Sequence, residues 1–255
     1  MTGVFVVSDN IYSPLGATTA ENFSQLVEGV SGVRRHEDPA MSEQPFYAAL
    51  FAKGHFEQPG LIRADADDGG YSRFERLLIG SISNALSGSG VDPGDKRTVF
   101  ILSTTKGNID LLETEAENPA LAGLVSLHGS AKKVAEYFGF VRAPVVVSNA
   151  CISGIVALLT ARRLILSGQY ENAVVAGADL ISRFILSGFQ AFQAVSPGIC
   201  KPFDRARDGI NLGEGASTVI LSSNRKYEQG IRILGGSVSN DANHLSAPSR
   251  RGEEL

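Results

Sequence analysis

The chain has 255 residues, which is enough for one large α/β domain or two small ones. Its net charge of −4 provides no general attraction to nucleic acid or to anionic membranes. Because it has no charged-then-apolar leader and no apolar run long enough to cross a bilayer, we expect a cytoplasmic protein without a membrane span. Cys151 and Cys200 fit neither a disulfide framework nor a zinc site, so we expect no metal and no cofactor.

The hydrophobic pattern predicts strands and helices in alternation along the chain. Strands are predicted, in chain order, within residues 3–16, 98–107, 143–150, 172–179, 216–223 and 231–241. Helices are predicted within residues 18–29, 71–90, 130–140 and 152–168, whereas residues 31–70 are predicted to be irregular and polar. This alternation predicts a layered α/β fold whose sheet is covered by helices on both faces.

The stretch VVVSNACISGIVALLTARRLILSG places Cys151 between a strand and a helix. Val145, Val146 and Val147 form a β-branched run, which is typical of a buried strand. The helix after Cys151 has apolar residues on nearly every side, and this predicts that the helix is buried within the domain. We therefore expect Cys151 at the amino end of a buried helix.

Two interpretations of Cys151 follow from this position. The unpaired N–H groups and partial positive charge at a helix amino terminus stabilise a thiolate, which is the nucleophilic form of cysteine. The same N–H groups could hold the oxyanion formed when sulfur attacks a thioester or ester carbonyl. A free cysteine is also commonly a small apolar core residue without a chemical role. The position alone leaves both interpretations open.

Several segments, in the right order along the chain, resemble the β-ketoacyl-acyl carrier protein synthases, the condensing enzymes of fatty acid and polyketide synthesis. NACISG resembles the nucleophile segment of that family, and AVVAGAD resembles the strand after the nucleophile helix. VVSDNIYSPLG resembles the opening of the family's sequence, and SGVRR resembles a segment that follows soon after it. GFQAFQAVSPGICKPFDRARDGINLGEGAS and SNDANHLSAP resemble two later motifs. The resemblance extends from about residue 3 to residue 249 and favours Cys151 as a nucleophile.

The resemblance implies a thiolase-like fold, in which two similar α/β halves stack as an αβαβα subunit. The chain would be the amino-terminal half, a layered α/β domain with a mixed five-stranded sheet covered by helices. We accordingly assign residues 1–255 to one ketosynthase amino-terminal domain and expect the carboxy-terminal half to be absent. Such a chain would be a truncated ketosynthase or, as the alternative, a naturally short paralogue.

The resemblance also implies a reaction. Cys151 would accept an acyl group from an acyl carrier protein or coenzyme A thioester. A malonyl-carrier substrate would lose carbon dioxide, and its carbanion would attack the Cys151 thioester to give a β-ketoacyl chain longer by two carbons. A covalent intermediate divides this difficult step into two easier ones. Since family members are usually dimers, we expect a homodimer or a heterodimer with a ketosynthase-like subunit.

Three further residues are assigned to the acyl pocket by the same resemblance. Phe189 matches a family aromatic residue that lines the acyl channel. Thr105 and Lys106, in the segment STTKGN, replace small or apolar residues of a glycine-rich family segment. A lysine there indicates an unusual acyl chain, either conjugated or polar, unless Lys106 simply lies exposed on the surface.

The family stabilises the enolate of decarboxylation with two histidines and a lysine from its carboxy-terminal half. None of His36, His55, His128 and His244 has the sequence context of those histidines, and His244 matches a non-catalytic family position. We therefore predict that the chain cannot complete condensation unaided. Self-acylation of Cys151 would be feasible in principle, although part of the family's oxyanion hole also comes from the carboxy-terminal half.

Three hypotheses about function follow. The chain is half of an active condensing enzyme with Cys151 as its nucleophile. As the first alternative, it is a non-catalytic ketosynthase-like partner subunit of the chain-length-factor type, a class that usually lacks the cysteine. As the second, it is a structural or interaction domain in which Cys151 belongs to the core.

Overall fold

A computed structural model gives the structure of residues 3–57 and 70–239. Its strands are β1 (Phe5–Tyr12), β2 (Arg34–His36), β3 (Phe46–Ala49), β4 (Thr98–Ser103), β5 (Val145–Val147), β6 (Asn172–Asp179), β7 (Leu212–Gly213) and β8 (Gly215–Ser222). Five of them form one sheet in the order β1-β8-β6-β4-β5. Strand β4 runs parallel to β5 and β6, whereas β8 runs antiparallel to β1 and β6. The expected mixed five-stranded sheet is confirmed.

The α-helices are α1 (Thr19–Val27), α2 (Arg73–Leu86), α3 (Leu111–Thr114), α4 (Leu121–Leu124), α5 (Leu127–Phe138), α6 (Ser153–Leu166) and α7 (Arg183–Ala191). Local chemistry sets several of their ends. Thr18 and Ser72 each cap a helix by accepting a backbone N–H with their side chains, and a glutamate three residues later completes both capping boxes. Gly139 ends α5 in the left-handed conformation that glycine adopts most readily.

One face of the five-stranded sheet is covered by α2 and α5. Phe100 and Leu102 point from β4 into this layer, where they meet the fully buried α2 residues Leu78 and Ile79. Val99 and Ile101 alternate with them and point to the opposite face. Both faces of β4 are therefore buried. This explains its uninterrupted apolar run, as predicted from the sequence.

The opposite face is covered by α6, but only in part. Ala157, Ala161 and Ile165 recur every four residues and form the stripe that packs on the sheet, and the two alanines let the helix approach it closely. Ile155 is 57% exposed and Leu166 is 38% exposed. The prediction that this helix is buried on every side is therefore wrong for the described residues, because no described element covers its outer face.

A second, smaller sheet has the order β2-β3-β7. Strand β2 pairs antiparallel with β3, and β3 pairs parallel with β7, which lies far along the chain. The prediction that residues 31–70 are irregular is wrong at β2 and β3. These strands have three and four residues, too few for a clear alternating pattern, and β3 pairs with a remote partner.

The last predicted strand, residues 231–241, is wrong over its described part. Residues 231–239 form no strand; Arg232 makes a single antiparallel bridge with Phe5. Two backbone hydrogen bonds, from Val6 N–H to the Ile231 carbonyl and from Ile233 N–H to the Val4 carbonyl, fix this contact at the sheet edge. Gly235 and Gly236 follow and weaken strand formation, and residues 240–241 lie outside the described ranges. Among the described helices, none combines the length and apolar character that a membrane crossing requires.

Candidate active site

Cys151 lies in a short 3-10 turn, Ala150–Ile152, between β5 and α6. Ala150 has a φ of 42°, in the left-handed region that non-glycine residues rarely adopt. Such a conformation costs energy and persists where the surrounding structure holds it, most often at functional sites. The turn carries the chain sharply out of the sheet and leaves Cys151 exposed as a free thiol.

Ser153, the first residue of α6, holds this turn. Its hydroxyl oxygen accepts a hydrogen bond from the Asn149 N–H at 2.7 Å and donates one to the Ala150 carbonyl at 2.9 Å. Ser153 is only 6% exposed, so water competes little for these bonds. The Ser153 hydroxyl therefore bonds to the backbone on both sides of the strained residue Ala150 and fixes its conformation.

The expected placement of Cys151 at a helix amino end needs a correction. The N-cap of α6 is Ile152, so Cys151 lies one residue before the cap and outside the first helical turn. The N–H groups of Ile152 and Ser153 donate to the carbonyls of Asn149 and Ala150 and serve the turn itself. The sequence pattern missed this because the left-handed Ala150 interrupts the path from strand to helix.

Cys151 opens into a cavity of about 800 Å³ on the partly covered face of the sheet. Phe189, from α7, and Thr105 and Lys106, which follow β4, line the same cavity. The structure thus brings together all four site residues named from the sequence. Apolar side chains form much of the remaining wall, among them Ile11, Ile155, Leu158, Val175 and Val219.

Lys106 forms an ion pair with Asp179 inside this cavity, with 3.3 Å between Nζ and Oδ1. Asp179 ends β6 and Lys106 follows the end of β4; these two strands are parallel neighbours, so their carboxyl ends meet at one edge of the sheet. The Lys106 side chain is 28% exposed and does not lie free on the surface. Asp179 was not predicted from the sequence. Opposite charges near the ends of two predicted strands, Lys106 and Asp179, could have indicated this ion pair.

Glu214 is a second site residue that sequence reasoning missed. This buried carboxylate accepts the N–H of Phe51 at 2.9 Å and of Ile181 at 3.2 Å, and Arg73 lies 3.5 Å away. It lines the cavity and fixes the segment that leads into α7, the helix that carries Phe189. The segment LGEGAS belongs to a motif that resembles the family, but only the fold shows which backbone groups its glutamate holds.

No histidine lines the cavity within the part of the chain that the structure describes. His36 contacts the Ala48 carbonyl through Nε2, and Nε2 of His55 contacts the Tyr12 hydroxyl, both at 3.0 Å. Burial, together with the negative charge of Glu21, raises the pKa of Tyr12. His244 lies outside the described residues. Within residues 3–57 and 70–239, no group of three or more His, Cys, Asp or Glu side chains could hold a metal ion.

A family model described as "Beta-ketoacyl synthase, N-terminal domain" matches residues 1–226. The chain belongs to the β-ketoacyl synthase family. The family expected from the sequence is therefore confirmed, and with it the assignment to the amino-terminal part of such a synthase.

Two curated relatives illustrate the match. The chain is 24% identical to 3-oxoacyl-(acyl-carrier-protein) synthase 2 of Vibrio cholerae, across 98% of this chain and 66% of that protein. It is 34% identical to nodulation protein E of Rhizobium meliloti, across 42% of this chain and 28% of that protein. The chain spans about two thirds of the length of the relatives that it matches almost throughout.

Solved ketosynthase structures share the fold. The ishigamide ketosynthase/chain length factor superimposes with a TM-score of 0.84 at 24% identity, covering 98% of this chain and 67% of that one. One chain of the complex between ketosynthase ApeO and its chain length factor ApeC, from Xenorhabdus doucetiae, superimposes with a TM-score of 0.83 at 23% identity, covering 99% of this chain and 65% of that one. The expected thiolase-like α/β fold is thus confirmed.

Proposed function

We propose that this chain is the nucleophile-bearing domain of a β-ketoacyl synthase, an acyltransferase in which Cys151 takes up the acyl group of a thioester. The observation that supports this most is the exposed Cys151 thiol, held on a strained turn at a cavity lined by Phe189, Thr105 and Lys106. A cysteine with only a packing role would be buried among apolar side chains. Here the backbone is distorted so that the sulfur is accessible.

In the first step of the proposed reaction, the Cys151 thiolate attacks the thioester carbonyl and the carbonyl oxygen becomes an oxyanion. Collapse of this intermediate expels the thiolate of the carrier and leaves an acyl-Cys151 thioester. In the second step, a malonyl thioester loses carbon dioxide and its carbanion attacks the acyl-Cys151 carbonyl. Expulsion of the Cys151 thiolate then gives a β-ketoacyl thioester longer by two carbons.

The second step needs groups that the described residues do not bring to Cys151. No described histidine lines the cavity, and His36 and His55 form hydrogen bonds elsewhere in the fold. The prediction that residues 1–255 cannot complete condensation unaided therefore stays part of this proposal, which adds that Cys151 can be acylated within this chain. The acyl donor would be an acyl carrier protein or an acyl coenzyme A. The curated relative from Vibrio cholerae is named as a 3-oxoacyl-(acyl-carrier-protein) synthase, which favours the carrier protein as the donor.

Intact-mass spectrometry after incubation with an acyl-carrier thioester tests the proposal. We expect a mass gain of one acyl group in the wild-type chain and in the Cys200→Ala variant, and no gain in Cys151→Ala. Cys200 is the matched control because it is the other free cysteine, half-buried rather than exposed. A gain that persists in Cys151→Ala, or no gain in any of the three proteins, would contradict the proposal.

A non-catalytic partner subunit is the second candidate, and the two ketosynthase/chain length factor structures favour it. Either role predicts a dimer, with itself or with a ketosynthase-like subunit. Co-purification of tagged chain with such a subunit, together with no acylation of Cys151, would decide for the partner role. We include in the proposal a cytoplasmic location and the assignment of residues 1–255 to a single amino-terminal domain.

A further inference from the structure

The cavity at Cys151 is apolar over much of its wall but contains one opposite-charge pair, Lys106 and Asp179. Among the described residues, Asp179 is the one carboxylate within ion-pair distance of Lys106 Nζ. An ammonium group can donate three hydrogen bonds and a carboxylate can accept about four, so the pair keeps unused capacity on both sides. Both residues line the cavity that Cys151 also lines, and their side chains are 28% and 49% exposed, so water fills this capacity until a ligand displaces it.

The turn that carries Lys106 is anchored from behind by a buried polar cluster. Nδ2 of Asn108 lies 3.2 Å from Glu75 Oε1, 3.0 Å from the Ser130 hydroxyl and 2.9 Å from the Leu124 carbonyl, so its two N–H groups are shared among three acceptors. Glu75 is 3% exposed and is paired with Lys133 at 3.1 Å. These bonds join the turn to α2, α4 and α5, so the Lys106 backbone is fixed before any ligand arrives.

The forward side of the turn is fixed as well. The Thr104 hydroxyl accepts the N–H groups of Lys106 and Gly107 at 3.3 and 3.2 Å. Gly107 has a φ of 54°, which glycine adopts without strain. A lysine on a rigid turn that points into a cavity is preorganised for contact with a ligand, since little backbone freedom is lost on binding.

A saturated acyl chain lying along this pair would displace water from both charges and return no hydrogen bond, which is unfavourable. A hydroxyl group on the chain has the opposite effect, because a hydroxyl both donates and accepts. Its oxygen can accept from Lys106 and its hydrogen can be donated to Asp179. A group that only accepts, such as an ether oxygen, satisfies Lys106 but not Asp179.

We propose that Lys106 and Asp179 form a specificity-determining pair that selects acyl groups carrying a hydroxyl on the chain over saturated acyl groups. This inference rests on the proposed function, since it assigns the substrate class of the cavity that Cys151 opens into. The pair sets preference and does not take part in the chemistry at sulfur.

Two measurements on the 255-residue chain test the inference. The first is the acylation rate of Cys151, by intact mass, with pantetheine thioesters of octanoic, 3-hydroxyoctanoic and 8-hydroxyoctanoic acid and of the matching methyl ethers. The second is the dissociation constant of the corresponding unreactive pantetheine amides, measured on Cys151→Ala. We expect one hydroxylated compound to be preferred about tenfold or more over octanoyl, with its methyl ether clearly weaker.

Lys106→Met is the test variant, and Lys132→Met is its matched control. Lys132 forms an ion pair with Glu136 on the surface of α5, outside the cavity. We expect Lys106→Met to lose the preference and Lys132→Met to keep it. The double variant Lys106→Met with Asp179→Leu removes both charges, and we expect it to favour octanoyl.

The outcomes separate this inference from the function on which it rests. Acylation of Cys151 at equal rates by octanoyl and every hydroxyoctanoyl compound would overturn the selectivity and leave the proposed function intact. Hydroxyl-selective binding of the amides that depends on Lys106, without any acylation, would support the selectivity and contradict the proposed function. Equal binding of all the amides, or no binding of any, would overturn the selectivity.

Discussion

The two faces of the five-stranded sheet differ in how they are covered. On the α2 and α5 face, large side chains such as Phe74, Leu78 and Ile79 are completely buried. On the α6 face, two alanines and one isoleucine make the main contact, Ile155 is 57% exposed, and the cavity with Cys151 lies beside the helix. The first face contains a dense core, and the second combines a thin core with an accessible thiol.

This difference places the dense core and the candidate active site on opposite sides of one sheet. Strand β4 contributes to both, since Phe100 and Leu102 point into the dense core while Lys106 follows the same strand into the cavity. Substitutions on the dense face should therefore change the free energy of unfolding. Those on the partly covered face should change mainly the behaviour of Cys151.

The largest expected effect comes from a matched pair of isoleucines on opposite faces. Ile79→Ala removes a fully buried side chain from α2 and should lower the free energy of unfolding by about 3 kcal/mol, the sum of lost burial and the cavity left behind. Ile155→Ala on α6 should cost less than about 1 kcal/mol because its side chain is already 57% exposed. Urea unfolding followed by circular dichroism measures both values.

Equal losses for the two variants would contradict the contrast between the faces. They would show that a second chain or another segment covers Ile155 in solution. The concentration dependence of the unfolding midpoint then distinguishes association with a second copy from coverage within one chain.

A smaller effect is expected at Ser153, on the partly covered face. Ser153→Ala removes two short hydrogen bonds that hold the left-handed Ala150, and should cost about 1 kcal/mol of stability. Because the strained turn positions Cys151, we expect the acylation rate to fall by about tenfold or more. Thr160→Ala is the control, since the Thr160 hydroxyl donates to the Val156 carbonyl within α6, away from the turn at Ala150. Acylation at the wild-type rate in Ser153→Ala would show that the turn holds its shape without this hydroxyl.

The smallest expected effect concerns Asp110, which lies between the cavity turn and α3. Burial raises the pKa of this carboxyl above its usual 3.8, although Arg73 opposes the shift. The folded state therefore binds the proton more tightly than the unfolded state, and stability falls as pH rises from 3.8 through the folded pKa. Asp110→Asn should raise stability at pH 7 by less than about 1 kcal/mol, discounted for solvent screening.

Urea midpoints of wild type and Asp110→Asn between pH 7 and pH 4 check this sign. The advantage of the variant should shrink as the pH is lowered, because the wild-type carboxyl becomes protonated. A gain that grows on acidification would mean that interactions of the charged carboxylate outweigh its burial.

The sequence by itself determined the five strands of the central sheet, its main helices and four of the residues around the site. Long apolar runs such as residues 98–103 and periodic segments such as α2 depend on local pattern, so they could be predicted without knowledge of the fold. The motif around Cys151 indicated the family, and Phe189, Thr105 and Lys106 do line its cavity.

Only the tertiary structure decided how those residues meet. Asp179 reaches Lys106 because β4 and β6 are neighbours in the sheet, and Glu214 joins Phe51 to Ile181 across three separate segments. The short strands β2, β3 and β7 pair through contacts far apart in the chain, and the left-handed Ala150 persists because Ser153 holds it. These contacts join groups that lie far apart in the sequence, and the turn at Ala150 has a strained backbone. Local residue patterns specify neither property.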